Sequence, residues 1–221
     1  MYYNLLENSI RKEVKIMFKG NKQAPVVGSP TQDAKNTYIA AEIEVEGNFK
    51  GNGSIQVEGT VNGNLSIPSV VIGEHGTVNG IINAKNAIVN GDLNGSIFCD
   101  TLEIMPNGKI NDEIKVKQLL ISGKAEGSIE SKEEITIDQT GHVIASTMQS
   151  KTIVVNGDFK GSISASEILK VGSTGSAQGE ITVKNIKTDT GGKLLGSIHN
   201  YVEETPVEPK EEKTLQEDNL N

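Results

Sequence analysis

Apolar and polar residues alternate along most of this chain with a period of two. Ile153, Val155, Gly157, Phe159, Gly161 and Ile163 take every second position, and so do Leu119, Ile121, Gly123, Ala125, Gly127 and Ile129. Asn, Asp, Lys, Glu and Ser fill the places between. This alternation predicts strands with one face inward and the intervening polar residues in water. Between residues 40 and 199 no stretch carries a convincing helical period. The glycines fall on the inward parity, which predicts bends too sharp to leave room for a side chain.

The alternation is itself repeated. A phrase Gly-x-apolar-x-Gly begins at 47, 59, 91, 123 and 157, and a second set begins at 76, 108, 141, 175 and 192. In the second set the closing glycine is missing from the phrases at 108 and 141. The eight steps from residue 59 to residue 192 average about 16.6 residues. In the first set an apolar residue stands two before the glycine ("VNG" at 89–91), in the second four before it ("IMPNG" at 104–108). Short and long corners therefore alternate. About 17 residues is too long for a hairpin and suits one triangular winding of three short strands. The predicted fold is all-β: a right-handed parallel β-helix of about nine windings over 38–200, roughly 45 Å long at the inter-strand spacing. Its predicted corner glycines include Gly59, Gly63, Gly91, Gly95, Gly123, Gly127, Gly157, Gly161, Gly192 and Gly196.

Composition fits an elongated solenoid, which needs only small apolar residues in each layer. The 221 residues are 35% hydrophobic and 4% aromatic, with 24 glycines, 6 prolines and no Trp. A net charge of −8 argues against nucleic-acid binding. The single Cys99 excludes a disulfide framework and points to the cytoplasm. No apolar run approaches the roughly 20 residues needed to span a bilayer. Outside the repeats, residues 20–36 read as a flexible linker. Residues 201–221, with seven acidic and two basic residues, read as a disordered tail.

Candidate chemistry is sparse. His75, His142 and His199 occupy different places in the repeat, as expected of surface histidines rather than metal ligands. Asp92 and Asp158 stand at equivalent places, but Lys109, Lys124 and Ser176 share that place, which argues against a calcium ladder. "GGKLLG" lacks the ending of a phosphate-binding loop. Steps of 15, 17 and 18 residues break the six-residue register of the left-handed β-helix found in acyltransferases. The expectation is no catalytic constellation, no cofactor, no metal and no nucleotide.

The glycine phrases about 17 apart, closing on "GGKLLGSI" at 191–198, resemble the bactofilins, a bacterial polymer-forming cytoskeletal family. The resemblance implies a right-handed triangular β-helix with disordered ends. It further implies nucleotide-independent, end-to-end filaments that scaffold cell-wall, envelope, cell-shape or motility machinery. "MFKGNKQAP" at 17–25 resembles the family's N-terminal membrane-attachment peptide, a role that Met17, Phe18, Lys19 and Lys22 would carry at the cytoplasmic face of the membrane. In the family that peptide begins the protein, and "KEV" at 12–14 can be encoded by a ribosome-binding sequence. Residues 1–16 are accordingly expected to be leader from a misplaced start, followed by a membrane-targeting peptide and linker over 17–37.

Both ends of the repeat array read as apolar on their inward parity, "YIAAEIEVEG" at 38–47 and "LLGSIHNYV" at 194–202, without an obvious cap. Uncapped strand edges pair with further copies. The expected contacts involve Tyr38, Ile39, Ile43, Leu194 and Ile198, and Leu194 also matches a family position important for polymerisation. A monomeric interaction rod is the competing reading, and a β-helical enzyme a more distant one.

Overall fold

The computed structural model describes residues 36–202. The expected leader 1–16, the membrane peptide at 17–25 and the tail from 203 lie outside the described residues. All regular structure in the described part is strand, from Asn36–Ile39 to Lys193–Asn200, and every strand pairing is parallel.

Each winding contributes three strand segments, so the solenoid has three faces. The second winding shows them separately as Ser54–Val57, Thr60–Asn62 and Leu65–Ser66. From the fifth winding onward the strands run through the corners, as in Lys124–Ile137 and Asp158–Val171. Registers define ten windings. On the second face the aligned inward residues are Val45, Val61, Val78, Leu93, Ile110, Ala125, Val143, Phe159, Ala177 and Leu194. Nine spacings of about 4.8 Å give a stack of about 43 Å. Ten windings accord with the expected count of about nine.

Aliphatic ladders fill the interior. The third face stacks Leu65, Ile82, Ile97, Ile114 and Ile129, each at most 1% exposed. Apolar side chains meet across successive layers, so small residues suffice and no tryptophan is needed. Not every serine faces water as the alternation predicts. Ser122, Ser131 and Ser150 are buried, the last two because the third corner turns their positions inward beside Val116 and Ala165.

The glycines form two vertical columns. At the first corner Gly59, Gly91, Gly123 and Gly157 alternate with Gly76, Gly108, Gly141 and Gly175, and Gly192 of the second set follows Gly175 directly. A Cβ at any of these would lie under 3.0 Å from a backbone carbonyl oxygen of the winding beneath. Stacking, as well as bending, therefore requires glycine. The second column holds Gly63, Gly95, Gly127, Gly161 and Gly196, each with φ between 122° and 157°.

The phrase at 47 is a correction to the sequence reading. Gly47 lies under Gly63, in the second column rather than the first. Ile43 occupies the first-column place in the opening winding: its carbonyl accepts from Thr60 N at 2.8 Å, as Gly59's accepts from Thr77 N at 2.9 Å. No described winding lies beneath Ile43, so a side chain fits there, and Ile43 is 50% exposed.

Candidate functional site: the two ends of the solenoid

Much of the flank is polar and hydrogen-bonded from layer to layer. On the second face an amide ladder climbs the outside: Asn79 Nδ2 donates to Asn62 Oδ1 at 2.7 Å, and Asn94 Nδ2 donates to Asn79 Oδ1 at 2.9 Å. Asn62 Nδ2 donates to Glu44 at 2.7 Å at the foot of the ladder. The column beside it holds Asp92, Lys109, Lys124, His142, Asp158 and Ser176. Asp92 pairs with Lys109 at 3.4 Å, and Asp158 approaches His142 Nδ1 at 3.2 Å. The two aspartates thus meet Lys109 and His142 rather than each other. Lys117 pairs with Asp100 at 2.9 Å, a hydrogen bond and charge that raise the ammonium pKa above its ordinary value.

Cys99 lies inside the third corner at 9% exposure. Burial first, and the Asp100 carboxylate second, push its thiol pKa up to about 12. Such a thiol is protonated and unreactive at neutral pH. Among the described residues no group of three or more His, Cys, Asp or Glu is placed to hold a metal ion. His142 and His199 sit on different faces, and His75 lies in a long corner.

The ends differ from the flanks. The strands of the opening winding pair on one side only, with the second winding, and the closing strands Ile186–Thr188 and Lys193–Asn200 pair only with the ninth, among the described residues. Each end therefore presents an open strand edge. At the closing end Ile198 continues the ladder above Ile181, yet Ile181 is 0% exposed and Ile198 54%. Leu194 sits above Ala177 and is half-buried, while Ile186 and Leu195 are exposed. At the opening end Ile39 is buried in the core and Val45 and Phe49 pack against it. Tyr38 shares the outward parity of Gln56, which puts it on the flank of the first face rather than on the end. The five residues expected at contacts thus divide three ways: Ile43, Leu194 and Ile198 at the ends, Tyr38 beside one, and Ile39 within the core. The exposed Leu195 and Ile186 escaped the sequence reading. Leu195 lies on the outward parity and Ile186 in a short closing strand without its own glycine phrase.

Met17, Phe18, Lys19 and Lys22 lie outside the described residues. No helix among the described residues is long and apolar enough to cross a membrane.

These features define a class of protein, a parallel β-solenoid whose identical layers end in open, apolar-lined strand edges. A protein-family model, Bactofilin: Polymer-forming cytoskeletal, matches residues 37–122 and again 114–199. The matches together span nearly the whole solenoid, and the chain belongs to this family. It is a polymer-forming cytoskeletal protein, with a solenoid long enough to accept the family pattern twice. No curated protein and no solved structure matches the chain.

Proposed function

We propose that the chain is a filament subunit whose copies join end to end without nucleotide. The filament lies at the cytoplasmic face of the membrane and scaffolds envelope, cell-shape or motility machinery. The observation that carries this reading is the interrupted ladder, with Ile181 wholly buried and Ile198 half exposed one rung later. A second copy placed on the edge restores the missing rung and pairs the open strand. Burying such a side chain contributes about 1.5–3 kcal/mol. Met17 and Phe18 would supply the apolar contact with lipid, and Lys19 and Lys22 the attraction to anionic headgroups.

Leu194→Arg tests the contact. The substitution puts a charge at the half-buried position above Ala177 and leaves nine windings beneath it intact. Negative-stain microscopy and nucleotide-free sedimentation should show filaments for the parent chain and loss of pelleting for the variant, with an unchanged β-type circular dichroism spectrum. Filaments formed equally by the variant would remove Leu194 from the contact. Monomers of the parent chain under all conditions would favour a solitary interaction rod.

A further inference from the structure

Seven asparagines of this chain stand immediately before a glycine, at 52, 62, 79, 90, 94, 107 and 156. In Asn-Gly the asparagine amide is easily lost, because glycine has no Cβ to shield its backbone nitrogen. That nitrogen, once it gives up its proton, attacks the side-chain Cγ and expels ammonia, leaving a succinimide ring. Water then opens the ring to aspartate or to isoaspartate, in which the backbone runs through Cβ. The reaction needs a glycine N–H that is not engaged, a side chain able to swing onto it, and access to water.

The solenoid withholds these conditions from all the pairs but one. On the second face Gly63 N donates to Asn79 O at 3.0 Å, Gly80 N to Asn94 O at 3.1 Å and Gly95 N to Asn111 O at 3.1 Å. The side chains of Asn62, Asn79 and Asn94 are held as well, each by its own donation down the amide ladder. In the long corner Gly108 N donates to Met105 O at 2.8 Å. At the short corners Gly91 and Gly157 are buried, and the Asn156 side chain fills the space that a Gly172 side chain would take.

Asn52 and Gly53 differ. They turn the third corner of the opening winding, between Phe49–Lys50 and Ser54–Val57, with Asn52 exposed and Gly53 half-buried. Later windings tie this corner to the layer beneath: Lys85 N donates to Pro68 O at 2.8 Å, Asp100 N to Lys85 O at 2.9 Å and Lys117 N to Asp100 O at 2.9 Å. Gly53 holds the equivalent place, where no described residue lies beneath to accept. Among the described residues neither its N–H nor the Asn52 side chain has a hydrogen-bond partner.

We propose that Asn52 is a site of spontaneous modification, closed by Gly53 N to a succinimide and opened by water to aspartate and isoaspartate. The other asparagines of the set persist. The change adds one carboxylate near the opening end. Its isoaspartyl form also lengthens the corner that joins the first winding to the second, and so reaches the winding that carries Ile43 and Val45. None of this depends on whether the copies join.

The full-length chain, kept folded at mildly alkaline pH and sampled over time, reports the reaction by peptide mass spectrometry with fragmentation that resolves each asparagine. The same chain in denaturant gives the unprotected rate of each pair. When folded, Asn52 should react at close to its unprotected rate. The others should be slower than theirs by at least about tenfold, since hydrogen bonds or packing must open first. Isoaspartyl methyltransferase with labelled S-adenosylmethionine should place its methyl group at residue 52. Gly53→Ala, whose Cβ hinders the attack, should lose that label while its circular dichroism spectrum is unchanged. An Asn52 as slow as the ladder asparagines overturns the proposal, and so does any other asparagine that reacts first. Undiminished label at residue 52 in Gly53→Ala overturns it as well.

Discussion

At the scale of single residues, the second glycine column shows which constraint is absolute and which can be relieved. Gly161 has φ 141°, and a Cβ there would run into the carbonyl oxygen of Ala145 beneath it. Two members of the column are not glycine. Ala145 fits because the seventh winding inserts Ser146 at this corner, shifting the register between Ala145 and Met148. The Ser146 hydroxyl then donates to the Gly127 carbonyl at 3.2 Å. Asp112 has no such relief and sits at φ 130°, directly below Gly127. Strain of this kind costs of order 1–3 kcal/mol. Replacing Asp112 with Gly recovers that strain, against about 0.5–1 kcal/mol of added backbone entropy cost. The exposed Ser96–Asp112 hydrogen bond at 3.2 Å is a minor loss. Thermal denaturation should therefore show Asp112→Gly stabilised by about 1 kcal/mol and Gly161→Ala destabilised by at least about 2 kcal/mol. Equal melting temperatures for the three proteins would refute the strain argument.

At the scale of the winding, the third corner varies most. Its inward position is Val116 in one winding, Ser131 in the next, and then Ser150, Ala165 and Val183. Ser131 is satisfied, with its hydroxyl 2.6 Å from the Lys117 carbonyl oxygen and 3.1 Å from that of Glu134. Ser150 is equally buried, and its hydroxyl has no partner. A buried hydroxyl that lacks its hydrogen bond costs about 1–3 kcal/mol, whereas a bonded one contributes about 1 kcal/mol. The same substitution should therefore have opposite signs at these two positions. Ser150→Ala is expected to stabilise the solenoid and Ser131→Ala to destabilise it, each by about 1 kcal/mol in chemical denaturation. Destabilisation by both would mean that Ser150 has a partner, such as a bound water.

Much of the winding was legible beforehand because its determinants are local. Period-two alternation and the corner glycines lie within a dozen residues of one another, and the short–long alternation within two successive windings. The opening winding was misread for a physical reason: Ile43 replaces the glycine that marks every other layer, since no described carbonyl lies beneath it. The buried serines were missed because alternation along a strand does not say which way a corner residue turns. Of the ends, Leu194 and Ile198 were readable from parity. Leu195 was not, because it lies on the outward parity, which the reading gave to polar residues, and Ile186 was not, because its strand carries no glycine phrase and no described layer covers it.

At the scale of the whole molecule, assembly and membrane attachment are predicted to be one property. The peptide at 17–25 offers a single Phe and Met and two lysines. About 2 kcal/mol from an inserted Phe and about 1 kcal/mol from each Lys near an anionic surface come to about 4 kcal/mol. That corresponds to roughly millimolar affinity, too weak to hold one subunit on a bilayer. A filament presents the same peptide from every subunit, and linking binding sites raises overall affinity by about 10²–10⁴ without any new contact. Vesicles of phosphatidylcholine with anionic lipid should therefore co-sediment the parent chain. They should fail to retain Phe18→Ser, which is expected to form filaments still. They should fail equally to retain Leu194→Arg, which keeps the peptide intact and is expected to lose only the proposed contact at the end of the solenoid. The decisive arm is the last. If Leu194→Arg stays monomeric and still binds vesicles as tightly as the parent chain, attachment does not depend on polymerisation. The lipid contact must then be stronger than these few residues supply, or lie elsewhere on the solenoid.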